Sequence, residues 1–318
     1  MSEIEPELSE KDDSSHFGDG GSQGVGEALL AHSGFVAVVG RPNVGKSTLV
    51  NAIVGTKVSI TSPRPSTTRR RVLGVLERPG VQAIFVDTPG IHRPRGALGT
   101  RLNQAAKSSL NGVDVVLIVV DATAPVGPGD RFVASAAPEG SIAVVNKIDR
   151  ARPLQALEQL QAASLMPLSG GSGGVASECF PVSARTGRGI KALVDTVVSL
   201  LPRGPRYFPA GMTSDSPEAF WVAELVREQI LKVVDDELPH SIACVVTGWD
   251  WPHIKCEILV ERDSQKPIVI GRGGCVLKAV GQAVRTQLPD GAYLELLVRV
   301  ERDWQRRSSR LDELGYTL

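Results

Sequence analysis

The sequence predicts an α/β domain, its mostly parallel sheet covered by helices on both faces, followed by a smaller α+β domain. Three observations carry this expectation. Short apolar runs alternate with amphipathic, helix-length segments through the first two thirds of the chain. Several runs end in glycine-rich or polar turns, as strands of a doubly wound sheet do. The alternation stops at residues 202–209, a stretch with three prolines, and a different order of elements follows. A chain of 318 residues is long enough for two domains, each with its own core.

Residues 1–33 are rich in Ser, Gly, Asp and Glu. They carry too little apolar surface to offset the entropy of ordering, so a disordered acidic arm is expected. Residues 35–39 are a short apolar run that suits a buried strand, and a glycine-rich turn and a helix over 47–54 follow. Runs 72–77 and 81–86 flank Arg78-Pro79-Gly80, a turn signal, and predict an antiparallel hairpin. Further strands are expected at 113–120, 141–145 and 179–182, with helices at 98–110, 130–137, 153–163 and 190–201. Residues 169–174 are Ser and Gly only and read as a flexible insert. The first domain is therefore expected over 34–202 and a linker over 203–216. The second domain, 217–318, is expected to run helix (218–234), two strands (242–248, 254–261) and a short apolar run (267–270). A glycine turn, a helix (275–286), a strand (293–300) and a terminal helix complete it.

The formal net charge is +0, from 35 basic and 35 acidic residues, which speaks against an overtly basic nucleic-acid binder. That average hides unlike segments. Residues 1–33 hold one basic and eight acidic residues, residues 34–203 hold 20 and 10, and residues 204–318 hold 14 and 17. Four cysteines, Cys179, Cys244, Cys256 and Cys275, lack CxxC spacing. Neither zinc nor a disulfide framework is expected, and the thiols read as reduced in a cytoplasmic protein. No run approaches the ~20 apolar residues of a membrane span, and the acidic N-terminus lacks the basic and apolar regions of a signal peptide.

Gly40-Arg41-Pro42-Asn43-Val44-Gly45-Lys46-Ser47 is G-x-x-x-x-G-K-S between a predicted strand and a predicted helix, the context of a phosphate-binding P-loop. Its glycines let backbone N–H groups wrap phosphates. The helix start, which includes Thr48, adds partial positive charge. Lys46 is expected to reach the β- and γ-phosphates, and Ser47 to bind Mg²⁺. Asp87-Thr88-Pro89-Gly90 follows another apolar run; Asp87 suits Mg²⁺ through a bound water, and Gly90 offers a backbone N–H to a γ-phosphate. Asn146-Lys147-Ile148-Asp149 has the N-K-x-D pattern. Its Asp149 carboxylate can accept from N1 and the 2-amino group of guanine, whereas adenine would leave it poorly paired. Ser183-Ala184-Arg185 suits a backbone contact to guanine O6. These motifs, in this order and each at a strand end, point to GTP bound at the carboxyl ends of the strands.

Ser66-Thr67-Thr68-Arg69 lies between the first helix and the hairpin. A threonine hydroxyl here completes Mg²⁺ coordination when a γ-phosphate is present, and Thr68 is favoured over Thr67. Ile91 stands where many GTPases carry a water-orienting glutamine. With no evident general base, intrinsic turnover is expected to be slow and driven by charge from Lys46 and Mg²⁺.

In the second domain, Gln265-Lys266-Pro267-Ile268-Val269-Ile270-Gly271-Arg272-Gly273-Gly274 ends in a GxxG turn. Such a loop lets two backbones approach closely and can clamp a sugar–phosphate backbone. Strand–strand–helix–GxxG–helix–strand matches the type II K-homology fold. Residues 262–285 hold five basic residues and one acidic.

Three more segments complete the picture: Asp236-Glu237-Leu238-Pro239-His240-Ser241, Glu261-Arg262-Asp263-Ser264-Gln265-Lys266, and the ending with Trp304 and Leu314-Gly315-Tyr316. With the nucleotide motifs they make residues 34–318 resemble the Era family of bacterial GTPases. The resemblance implies a P-loop GTPase domain followed by a type II K-homology domain. It implies a GTP-hydrolysing switch that binds 16S ribosomal RNA near its 3′ end and assists maturation of the small ribosomal subunit. RNA contacts are implied for Gly271, Arg272, Gly273, Gly274 and Lys278. Relatives with a hydrophobic residue at the Ile91 position use the P-loop asparagine to help hold K⁺; Asn43 is expected either to do this or only to stabilise the loop. A monomer is expected. The family's occasional peripheral association with the inner membrane finds no basic amphipathic helix here. The runner-up is a GTPase of the same class acting in tRNA modification or a membrane-linked process, whose members lack the GxxG domain. The acidic arm and the 169–174 insert depart from the family pattern.

Overall fold

Successive side chains of a strand point to opposite faces of its sheet, so an apolar run with no polar alternation needs cover on both sides. The computed structural model, which describes residues 30–92, 96–169, 175–234 and 238–316, provides that cover. Its first unit comprises β1 (His32–Gly40), α1 (Lys46–Val54), β2 (Val72–Arg78), β3 (Val81–Asp87), α2 (Gly96–Ser108) and β4 (Val115–Asp121). It continues with α3 (Pro128–Ala134), β5 (Ile142–Asn146), α4 (Pro153–Ser164), β6 (Glu178–Pro181) and α5 (Ile190–Leu200). The strand order is β2-β3-β1-β4-β5-β6, and only the β2–β3 hairpin is antiparallel. Val36 and Val38 face Leu49, Ile53 and Leu193 on one side; Ala37 and Val39 face Ala106, Val133 and Ala163 on the other.

The second unit comprises α6 (Glu218–Val233), α7 (Leu238–Ser241), β7 (Ala243–Asp250), β8 (His253–Val260), α8 (Lys266–Ile270), α9 (Cys275–Arg285), β9 (Tyr293–Val300) and α10 (Ser308–Glu313). Strands β7 and β8 are antiparallel, β8 and β9 parallel. Val226 and Ile230 of α6 and Val280 and Val284 of α9 pack on Cys256, Ile258 and Val260 of β8. The apolar run at 267–270 is the short helix α8, with Pro267 in its first turn, where proline costs no hydrogen bond.

Strand β1 begins at His32, inside the segment expected to be disordered. His32 and Ser33 find backbone partners opposite Val81 and Gln82, and Leu30 pairs with Gly204. Residues 1–29 and the glycines of the insert, 170–174, lie outside the described residues. Residues 203–216 run along the first sheet. The Val75 N–H donates to the Thr213 carbonyl at 2.9 Å, and Gln82 Oε1 accepts from the N–H groups of Tyr207 and Phe208. A further apolar cluster joins the units: Leu98 and Leu102 of α2 pack with Ala243, Leu259, Trp304, Leu311, Leu314 and Tyr316. Among the described residues no helix is long and apolar enough to cross a membrane.

Candidate functional site

The G-x-x-x-x-G-K-S segment links β1 to α1, and Asn43 and Gly45 adopt positive φ, 64° and 95°. A Cβ on Gly45 would sit 2.5 Å from Asn146 Nδ2, so glycine is required there on two counts. Lys46 is buried and donates to the carbonyls of Gly40 and Arg41 at 3.2 and 3.0 Å. Burial pulls its ammonium down to about 8, with Asp87 opposing. An anionic phosphate beside it favours the charged form. The Arg41 side chain pairs at 2.7 Å with Asp130, a buried residue of α3. Asn43 Nδ2 donates to the Pro63 carbonyl at 2.8 Å, tying the P-loop to the segment that carries Thr68.

Three oxygen donors meet beside Lys46. Ser47 Oγ and Thr68 Oγ1 are 2.8 Å apart, and Thr68 Oγ1 is 3.5 Å from Asp87 Oδ2. Asp87 is fully buried; burial raises its carboxyl, while Ser47 and Lys46 pull it back. Its Oδ1 has no hydrogen-bond partner among the described residues. Two hydroxyls and a buried carboxylate with an orphaned oxygen form an all-oxygen set that suits Mg²⁺ and its waters. Thr67 points elsewhere, donating to the Arg64 carbonyl at 2.7 Å. Thr88 donates to the Val38 carbonyl at 2.8 Å, so its hydroxyl braces the turn against β1. Ile91 is fully buried, and its N–H donates to the Gly40 carbonyl.

Gly90 lies against Pro42. A Cβ there would sit 2.7 Å from the Pro42 nitrogen and 2.8 Å from its Cα, which are backbone atoms and cannot swing aside. Gly90→Ala is therefore expected to push this turn off the P-loop. Single-turnover GTP hydrolysis should fall by about 10²-fold, the cost of a misplacement on the order of 1 Å, with GDP affinity nearly unchanged.

The base-recognition motifs knit together. Asn146 Nδ2 donates to the Val44 carbonyl at 3.0 Å, and its Oδ1 accepts the N–H groups of Lys147 and Ala184. Within Ser183-Ala184-Arg185, the segment expected to offer a backbone contact to guanine O6, the Ala184 N–H donates to Asn146 in this structure. Lys147, at φ 66°, pairs with Asp121 at 2.6 Å and donates to the Asn43 carbonyl, so its stem lies along the P-loop. Asp149 accepts from Ser183 Oγ at 2.6 Å and from Arg185 Nε and Nη2 at 2.8 and 2.6 Å. The Ser183 hydrogen bond, then Arg185, holds its carboxyl below the usual range. A carboxylate has about four acceptor positions, and three are used here, two of them by the exposed Arg185 fork.

In the second unit, Gly271, Gly273 and Gly274 have φ of 77°, 61° and 77° between α8 and α9. Arg272, Gly273 and Lys278 are exposed around this turn. The resemblance-bearing segments are hydrogen-bonded to one another. Gln265 Oε1 accepts from the N–H groups of Glu261 and Arg262, its Nε2 donates to Ser241 Oγ at 2.8 Å, and Trp304 Nε1 donates to the Ser241 carbonyl. Asp236 and Glu237 lie outside the described residues.

Sequence reasoning missed the residues that join the two units. Arg227 and Glu228 of α6 are buried, and both reach the segment between α1 and β2. Arg227 donates to the Thr67 carbonyl; Glu228 accepts from the Thr61 N–H and from Lys57 Nζ. Arg69 donates to the Ile242 carbonyl at 2.6 Å and lies 5.9 Å from both the Trp304 and Tyr316 rings. The sequence carried no signal for them; only in the structure are Leu225 to Leu231 of α6 buried without a break, charged residues included.

Comparison with known proteins agrees with this geometry. Residues 35–147 match the family model "50S ribosome-binding GTPase" and residues 237–305 the KH domain model. GTPase Era of Mycobacterium tuberculosis (strain H37Rv) is 43% identical over 302 residues, covering 90% of this chain and 99% of that protein. GTPase Era of Mycobacterium avium (strain 104) is 44% identical over 300 residues, covering 89% and 98%. Among solved structures, a variant of Aquifex aeolicus Era bound to GDP and aluminium fluoride superposes with a TM-score of 0.83 at 39% identity, covering 90% of this chain and all of the other. Era in complex with MgGDPNP and nucleotides 1506–1542 of 16S ribosomal RNA superposes with a TM-score of 0.82 at 38% identity, covering 90% and 99%. A P-loop GTPase unit, a K-homology unit and this extent of identity across both lead to one conclusion: the chain belongs to the Era family of GTPases.

Proposed function

We propose that this GTPase uses bound nucleotide to set the affinity of its K-homology domain for the 3′ end of 16S ribosomal RNA, and so assists maturation of the small ribosomal subunit. The GTPase domain, expected over 34–202, starts with β1 at His32; the linker is 203–216 and the RNA-binding domain 217–318. The observation that supports this reading is that the Thr68 loop and α2, the helix that follows the Asp87–Gly90 turn, both pack on the second unit. A change at the phosphate therefore changes the surface on which that unit rests.

Lys46, the P-loop N–H groups and Thr48 hold the phosphates. Ser47 and Thr68 would hold Mg²⁺ directly and Asp87 through a water; bound there, the metal would supply charge to offset that of the phosphates. Asp149 selects guanine. The Asn43 amide, whose nitrogen donates to the Pro63 carbonyl, would offer its oxygen to K⁺, which would supply charge in place of an arginine finger. Gly271, Arg272, Gly273, Gly274 and Lys278 clamp the RNA backbone.

The test is crosslinking to small-subunit precursors with a non-hydrolysable GTP analogue and with GDP, in K⁺ and in Na⁺. Contacts at the 16S 3′ end, stronger with the analogue, are expected. Crosslinks confined to tRNA would move the protein to the runner-up class, and equal hydrolysis in both salts would remove K⁺.

A further inference from the structure

The Thr67–Thr68 peptide is gripped from the other unit. Arg227 Nη2 donates to the Thr67 carbonyl at 2.5 Å, the oxygen of the very peptide that continues into Thr68. The guanidinium is itself held as a fork: Nε to Glu224 Oε1 at 2.7 Å and Nη2 to Glu224 Oε2 at 2.6 Å. Its side chain is 1% exposed, so this charge is out of water and has one geometry. On the far side of Thr68, Arg69 is anchored on the Ile242 carbonyl between Trp304 and Tyr316. One residue further into the helix, Glu228 holds the Thr61 N–H at 3.0 Å. With Arg64 Nη2 on the Val234 carbonyl and Lys57 on Glu228 as well, the segment that carries Thr68 is fastened along its length to the RNA-binding unit, while Thr68 Oγ1 is presented 2.8 Å from Ser47 Oγ.

We propose that Arg227, a residue of the RNA-binding unit, is a positioning residue for GTP hydrolysis: it holds the Thr67–Thr68 peptide so that Thr68 closes the Mg²⁺ site. The inference rests on the reading of Thr68 as a Mg²⁺ ligand. It acts where γ-phosphate and metal meet and leaves the guanine contacts untouched. Its effect therefore falls on hydrolysis and metal use, while GDP affinity stays constant. Coupling of this kind is reciprocal for binding. Whatever moves α6 changes the closure at Thr68, and GTP, by drawing Thr68 in, stabilises α6 in the observed place.

The experiment uses the full chain. Arg227→Gln combined with Glu224→Gln removes the charged fork without orphaning a buried carboxylate. Arg227→Lys keeps a charge beside Glu224 but gives up the span to Thr67. Melting curves establish folding. For the double variant, the single-turnover rate should fall at least tenfold and the Mg²⁺ concentration for half-maximal rate should rise severalfold. GDP affinity should stay within twofold, as should affinity for a 16S 3′-end oligonucleotide measured with GDP. Arg227→Lys should lie between wild type and the double variant, and it decides the matter should the double variant fail to fold. A folded variant with wild-type rate and Mg²⁺ dependence overturns the proposal. Thr68→Ala separates the two layers: if it too leaves rate and Mg²⁺ dependence unchanged, the assignment of Thr68 is what fails; if it alone is impaired, only the role of Arg227 fails.

Discussion

Replacing Asp149 by Asn will lower GTP affinity by about 10³-fold or more while the protein keeps its fold. Guanine presents two donors, N1–H and the 2-amino group, and the Asp149 carboxylate is the acceptor proposed for them. The amide nitrogen of Asn sets a donor against donors, and a polar site built for one hydrogen-bond pattern rejects the wrong one strongly. Xanthine carries a carbonyl at the same ring position, so Asp149→Asn should bind xanthosine triphosphate more tightly than GTP. Titration of both nucleotides against wild type and variant measures the inversion. Equal loss for the two nucleotides would show that Asp149 serves the fold and not base choice, as its bonds to Ser183 and Arg185 would then suggest.

Replacing Gly274 by Asp will abolish RNA binding and spare GTP binding. The position has φ 77° and no atom within 4 Å of an added Cβ, and Asp is among the residues that tolerate left-handed backbone. The fold should survive. The new carboxylate would lie in the loop proposed to clamp phosphates, where like charge costs several kcal/mol; about 2.7 kcal/mol alone is 100-fold in affinity. Electrophoretic mobility of a 16S 3′-end oligonucleotide reads this directly, and unchanged affinity would remove the clamp assignment. Gly271 is a poorer probe: a Cβ there meets Val276 at 2.6 Å, so substitution also disturbs the start of α9.

The charge count gives a useful contrast with these local effects. Zero net charge speaks against nucleic acid, yet residues 262–285, which include the GxxG turn, hold five basic residues and one acidic, and eight acidic residues of the arm help bring the total to zero. Contact is made by a face and not by an average.

Much of the fold was legible because each rule involved is local. The apolar run of β1, the turn Arg78-Pro79-Gly80 and the helix starts depend on neighbours within a few residues, and the observed elements lie close to their expected places. The nucleotide motifs were legible for the same reason: a P-loop needs its glycines within eight residues, and Asp149 needs only to end a strand beside it. Thr68 was preferred over Thr67, and the geometry turns Thr68 toward Ser47 while Thr67 folds back on Arg64.

What the sequence could not show lies at long separation. His32 and Ser33 belong to β1 because β3 and residues 202–205 offer backbone partners, none of which is near them in the chain. Arg227 meets Thr67 across 160 residues, and Arg69 meets Ile242 across 173. In sequence, Arg227 is one more charge on a helix, where solvent is the ordinary partner. Composition, periodicity and spacing thus determined the two-unit α/β and α+β plan and the guanine-nucleotide and GxxG motifs, because these follow from backbone geometry within a few turns. The tertiary structure alone decided that the Thr68 loop and α2 rest on the RNA-binding unit. A buried charge finds its partner only when the chain brings distant segments together, and no local pattern encodes which segment that is.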